Sequence, residues 1–128
     1  MRVFIADDAA FIREFMKSLF KKMGAQVVGE AENGEEVLQR LPRTLPDLLV
    51  MDVVMPLMSG KDALKILRPQ YPHIKVLICT TLALDVALDP KLFDARLNKP
   101  FNLSEFKEAL ISLGFTKGAQ DGSYETGS

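Results

Sequence analysis

The chain has 128 residues, 48% of them hydrophobic, which is enough apolar material for one ordinary domain with a buried core. Its 16 basic and 17 acidic residues nearly cancel, and no basic run tracks along the chain, so direct nucleic-acid binding by this domain is not expected. No stretch approaches the roughly 18 to 20 apolar residues of a bilayer span, and "MRVFIADD" reaches charge too soon for a signal peptide; a soluble, cytoplasmic protein with no membrane partner is expected.

The first apolar run, "RVFIA", reads as a strand and ends in two adjacent acids, Asp7 and Asp8. Asp8 as the N-cap of the following helix accounts for one of them, because Asp is favoured there and near the positive end of the helix dipole; the second needs another reason. Phe11, Phe15, Leu19 and Met23 then fall at helical spacing, with Gly24 as the C-cap signal. A second strand, "QVVGE", leads to a second helix, "NGEEVLQRL", after which Pro46 marks a connection. The strand "DLLVMD" is followed by the helix "GKDALKIL" from Gly60, with Pro69 marking the next connection. The glycines of "EAENGEE" and "MSGKD" are assigned to turns before helices.

The fourth strand, "KVLIC", carries the lone cysteine, Cys79, which can form no internal disulfide and reads as a small apolar residue of a buried strand. Between Thr80 and Lys99, "LALDVALDPKLFDA" has room for at most a short helix, because Asp89-Pro90 interrupts it. A weaker strand, "ARLN", follows. The last helix starts at Asn102, where "NLSE" resembles a capping box with Glu105, and Leu103, Phe106, Leu110 and Leu113 form its apolar stripe. Past Gly114 the chain turns polar and Gly-rich, so a domain over residues 1–115 and a polar tail or linker over 116–128 are expected. This alternation predicts an α/β fold, a parallel sheet covered by helices on both faces.

In such sheets ligands bind beyond the carboxyl ends of the strands. Asp7 and Asp8 follow the first strand, Asp52 ends the third, Thr80 and Thr81 follow the fourth and Lys99 the fifth. Three neighbouring carboxylates are costly unless a cation neutralises them, and oxygen donors without His or Cys suit Mg²⁺. A carboxylate at the position of Asp52 can accept a phosphoryl group as a nucleophile, with Lys99 and the Thr80 hydroxyl offering charge and hydrogen-bond stabilisation.

From "VFIADD" through "LLVMDVVMPLMSG" and "VLICTT" to "LNKPF", the sequence resembles response-regulator receiver domains, the CheY-like family. The resemblance covers residues 1–115. It implies a flavodoxin-like, doubly wound sheet of five parallel strands in the order 2-1-3-4-5, with the fourth helix here short or irregular. It implies Asp52 as phosphoacceptor, Mg²⁺ held by Asp7, Asp8, Asp52 and the backbone carbonyl of Val54, Thr80 as the switch hydroxyl, Lys99 as the phosphoryl contact and a cis peptide before Pro100. The phosphate would come from a histidine kinase or phosphotransfer protein, or from small phosphodonors, and the signal would pass to a downstream protein target or effector domain. The domain would catalyse only its own phosphorylation and dephosphorylation and would not be an enzyme otherwise. An aspartyl-phosphate phosphatase would carry a second acid two residues past Asp52, where this chain has Val54.

Two departures stand out. Where receivers usually place Tyr or Phe, three residues before the lysine, this chain has Arg96, which cannot cheaply fill an apolar slot, so a remodelled output face is expected. Val54 and Leu82, flanking the path of attacking water in the family, are both apolar, so slow dephosphorylation is expected. Arg96 and the short fourth helix also support an alternative, an atypical receiver acting as a phosphorylation-independent binding module; the intact acidic set argues against it.

Overall fold

The structure, a computed structural model, describes residues 1–81 and 88–115. In chain order the elements are β1 (Arg2–Ala6), α1 (Ala10–Lys22), β2 (Gln26–Ala31), α2 (Gly34–Thr44), β3 (Leu48–Met51), α3 (Gly60–Gln70), β4 (Lys75–Thr81), a 3₁₀ turn (Pro90–Leu92), β5 (Ala95–Lys99) and α4 (Leu103–Ser112). The strands form one sheet in the order β2-β1-β3-β4-β5, every neighbouring pair parallel. This is the doubly wound, flavodoxin-like arrangement that the resemblance implied.

Strand residues alternate between two cores, which is why these strands read as continuous apolar runs. Phe4, Ala6, Leu49, Met51, Val76 and Ile78 face α2 and α3, packing with Val37, Leu41, Ala63, Leu64 and Leu67. Val3, Ile5, Leu48, Val50, Leu77, Cys79 and Leu97 face α1 and α4, packing with Met16, Phe20, Phe106 and Leu110. On that side the Phe20 and Phe106 rings meet edge to face, with centroids 5.1 Å apart, a favoured aromatic geometry. Among the described residues no helix is long and apolar enough to cross a membrane.

Helix ends follow their sequence signals with two exceptions. Asn33 and Ser59 cap α2 and α3 through side-chain oxygens that accept from the N–H groups of Glu36 and Asp62. Asn102 and Glu105 form the expected capping box of α4. Helix α1 ends at Met23, with Gly24 in the left-handed region (φ 79°) and the Gly24 and Ala25 N–H groups returning to Lys21 and Phe20 carbonyls. Its start, however, is Ala9, with no side-chain cap, so Asp8 does not serve as N-cap. Pro69 does not lie in a connection either: it sits in the last turn of α3, where its missing N–H forfeits one ladder bond and only Gln70 follows before the helix ends at Tyr71.

The buried face of α1 also differs from the spacing of Phe11, Phe15, Leu19 and Met23. Met16 and Phe20 are buried, while Phe11 is 75% and Phe15 49% exposed. At 3.6 residues per turn each four-residue step overshoots by about 40°, so a strict four-residue spacing drifts off any one face within three steps. Leu103, half-exposed at the first turn of α4, departs from its stripe likewise, whereas Phe106, Leu110 and Leu113 are buried. Between β4 and β5 the described part, residues 88–94, holds only the 3₁₀ turn; Leu88, Leu92 and Phe93 rest on the α2–α3 side, and Asp94 takes a two-pronged ion pair from Arg68. The remainder of the expected short fourth helix, 82–87, and the expected tail, 116–128, lie outside the described residues.

Candidate functional site

The sheet register sets the site. Ala6 pairs with Met51, so β1 and β3 end at one level and Asp7 and Asp52 emerge side by side, while β4 runs on past Ile78, the partner of Met51, to pair Thr80 and Thr81 with Asn98 and Lys99 of β5. Asp7 and Asp52 are buried there, Asp8 is exposed, and one carboxylate oxygen from each lies within 4.8 Å of the other two. Lys99, at the end of β5, reaches across β4: its Nζ donates to Asp7 Oδ2 at 2.5 Å and to Asp52 Oδ2 at 3.0 Å. Burial alone would pull the Lys99 ammonium down, but the hydrogen bonds and charges of Asp7 and Asp52 outweigh it and hold the pKa above the ordinary lysine value.

The other carboxylate oxygens are held by local backbone. Asp7 Oδ1 accepts the Ala9 N–H at 2.9 Å and Asp52 Oδ1 the Val54 N–H at 3.0 Å, each a two-residue turn that orients the side chain without neutralising it. Asp7 and Asp52 thus share one ammonium, and with Asp8 beside them the three carboxylates keep a net two negative charges without a counter-charge. A divalent cation would supply that charge, and a donor set made only of oxygen suits Mg²⁺ rather than a softer metal. Cys79, one turn of the pleat below in β4, is not a competing ligand: burial in the core, reinforced by Asp7 and Asp52 against the opposing pull of Lys99, pushes its thiol up to about 12.

Thr80, at the end of β4, has its hydroxyl oxygen buried with no hydrogen-bond partner among the described residues. A buried hydroxyl without a partner is costly, on the order of 1–3 kcal/mol, and its placement beside the acidic cluster suits an incoming oxygen acceptor. Val54 follows in the loop, its side chain 42% exposed; Leu82, paired with it in the sequence analysis, lies outside the described residues. Arg96 projects from β5 into solvent, with its Nε donating to Asn98 Oδ1 at 3.1 Å. The Lys99–Pro100 peptide is cis.

Of the six side chains singled out at the strand ends, Asp7, Asp8, Asp52, Thr80 and Lys99 are thereby placed at one edge, and Thr81, the last residue of β4, is exposed. Two others escaped the sequence reading. A Cβ at Gly60 would lie 2.2 Å from the Asp52 carbonyl oxygen, so this glycine does more than form a turn: it lets the start of α3 cross the Asp52 peptide. Arg13 donates from its Nη1 to the Asp7 carbonyl at 2.6 Å. Spacing gives no hint of either contact.

The family model for the response regulator receiver domain matches residues 3–111, and the chain belongs to that family. Among its relatives is the chemotaxis protein CheY of Thermotoga maritima, 36% identical over 112 residues, which are 85% of this chain and 93% of that protein. Among solved structures, the response regulator TrrA of Thermotoga maritima in complex with Mg(2+)-BeF is 30% identical with a TM-score of 0.79, over 88% of this chain and 97% of that one. The REC domain of AraT, a response regulator from Geobacillus stearothermophilus, is 31% identical with a TM-score of 0.77, over 89% of this chain and 91% of that one. The chain is a phosphorylation-activated receiver, a signalling domain rather than a catalytic one, and the phosphorylation-independent alternative is not favoured.

Proposed function

We propose that Asp52 is the phosphoacceptor of this receiver, with Thr80 and Lys99 as its catalytic partners and with Mg²⁺ held by the carboxylates of Asp7, Asp8 and Asp52 and the backbone carbonyl of Val54. The observation that carries the reading is the shared ammonium: Lys99 bonds both Asp7 and Asp52, while two carboxylate charges stay without a counter-charge. The similarity to TrrA, solved with Mg(2+)-BeF, supports the choice of ion. Bound there, the ion would neutralise negative charge on the transferring phosphoryl group.

The chain's own groups do the rest. An Asp52 carboxylate oxygen attacks phosphorus; its O–P bond forms as the N–P bond of a phosphohistidine donor breaks, and the leaving imidazole takes a proton from solvent. The Lys99 ammonium, already on Asp52 Oδ2, donates to a phosphoryl oxygen, and the Thr80 hydroxyl donates to another, acquiring the partner it lacks among the described residues. The donor is a histidine kinase or phosphotransfer protein, and the output passes to a downstream protein target or effector domain. The receiver occupies residues 1–115, with 116–128 as tail or linker, and works in the cytoplasm.

The test is intact mass after incubation with Mg²⁺ and acetyl phosphate. Wild type gains one phosphoryl group only when Mg²⁺ is present, and Asp52→Asn gains none. An unchanged wild-type mass in a folded, Mg²⁺-binding protein would overturn the assignment.

A further inference from the structure

The Asp7 backbone sits at an awkward place. Its N–H is the last to join the ladder, donating to Ala31 at 3.0 Å, and its carbonyl points past the end of β1, within a residue that is only 1% exposed. Among the described residues no strand partner reaches that carbonyl; Arg13 does, from the first turn of α1. The guanidinium is itself held on the other side, with Nε donating to Glu30 Oε1 at 3.0 Å, and Glu30 in turn takes Lys17 at 2.8 Å on Oε2. The Arg13 side chain is 13% exposed, so this fork is largely shielded. Arg13 therefore ties three elements, β1, β2 and α1, at the peptide that joins the two acids. A planar fork can hold two acceptors at fixed angles, which an ammonium cannot.

The Asp7 carboxylate is oriented by Ala9 and Lys99, whereas Asp8 is exposed and among the described residues no hydrogen bond holds its carboxylate. Helix α1 offers no further anchor at this turn, having neither a capping side chain nor an acid in its first turn. We infer that Arg13 is a positioning residue: by fixing the Asp7–Asp8 peptide it aims Asp8 into the carboxylate cluster and sets the cluster's affinity for a divalent cation. This rests on the Mg²⁺ site proposed above.

The sign of the effect separates positioning from simple charge. Arg13 is a cation near a cation site, so if charge were all that mattered, removing it would tighten Mg²⁺ binding; loss of positioning weakens it instead. The measurement is Mg²⁺ calorimetry on the full chain, well below the melting temperature, with melting curves recorded alongside. Arg13→Met is expected to weaken binding about tenfold, as loss of an outer-shell partner typically does. Arg13→Lys keeps the charge but not the fork and is expected to weaken it also, so it serves if the Met variant does not fold. Lys21→Met, which removes an exposed cation in the last turn of the same helix and leaves Arg13, Glu30 and Lys17 in place, is expected to leave the affinity within about twofold, since a solvated charge away from the site is well screened. Unchanged or tighter binding in the Arg13 variants, beside a wild type that binds, overturns the inference alone. A wild type that binds no Mg²⁺ overturns the proposed site and this inference with it.

Discussion

At the scale of single residues, two glycines show how one residue type answers two different demands. Gly24 has φ 79° and no atom within 4 Å of a would-be Cβ, so its need is purely conformational. Gly60 has no positive φ; its need is space, because a Cβ would press on the Asp52 carbonyl at 2.2 Å and on Val53 Cα at 2.9 Å, both backbone atoms that cannot swing aside. Gly24→Ala is therefore expected to cost about 1 kcal/mol in urea unfolding and to leave the rate of phosphorylation by acetyl phosphate unchanged. Gly60→Ala is expected to cost roughly 1–3 kcal/mol by overpacking and to slow that rate as well, because the peptide it displaces carries Asp52, the proposed phosphoacceptor. Equal phosphorylation rates in the two variants would show that the Asp52 peptide is not held by this crossing. The acids, Thr80 and Lys99 were legible at this scale because each breaks an apolar strand at its carboxyl end. Gly60 and Arg13 were not, because a close approach and a side-chain reach to a carbonyl across six residues leave no mark on periodicity.

At the scale of elements, α1 was legible as a helix but its orientation was not. Both the i+4 series of Phe11, Phe15, Leu19 and Met23 and the observed face of Ile12, Met16, Leu19, Phe20 and Met23 are apolar, and hydropathy alone does not choose between them. Packing chooses: Phe20 meets Phe106 across the core, while Phe15 rests only at the rim, its ring 6.1 Å from that of Phe101. Denaturant unfolding of two variants checks the face. Phe20→Ala is expected to cost about 3–5 kcal/mol, the range for a large buried aromatic. Phe11→Ala is expected to stay within about 0.5 kcal/mol of wild type, as for surface substitutions generally. The reverse ranking would mean that the helix is rotated. The connection after β4 is the opposite case, since its Asp89-Pro90 break was legible and a 3₁₀ turn is found beginning at Pro90.

At the scale of the whole molecule, the βα alternation determined the class of fold, because strands apolar on both faces have to be covered on both. The strand order was not contained in that alternation and came from the resemblance, which the sheet bears out. The same architecture concentrates charge: the interior strands β1 and β3 deliver Asp7 and Asp52 to one edge, where Asp8 joins them within 4.8 Å. Like charges so placed oppose folding, and Lys99 offsets only part of the repulsion, so the fold is expected to give up stability at its functional edge and recover it on binding a cation. A ligand that binds only the native state stabilises by RT ln(1 + [L]/Kd), about 2.7 kcal/mol at a hundred times Kd. Wild type is thus expected to melt at a higher temperature in saturating Mg²⁺ than in a chelator. Asp8→Asn removes one repelling charge from an exposed position without opening a cavity, so it is expected to melt at or above wild type in the chelator and to lose most of the Mg²⁺-dependent gain. The two effects have opposite signs in a single variant, which general destabilisation cannot produce. If Asp8→Asn instead lowered the melting temperature equally with and without Mg²⁺, the acidic pair would be a structural feature of the β1–α1 turn, and the cation site would have to be sought without Asp8.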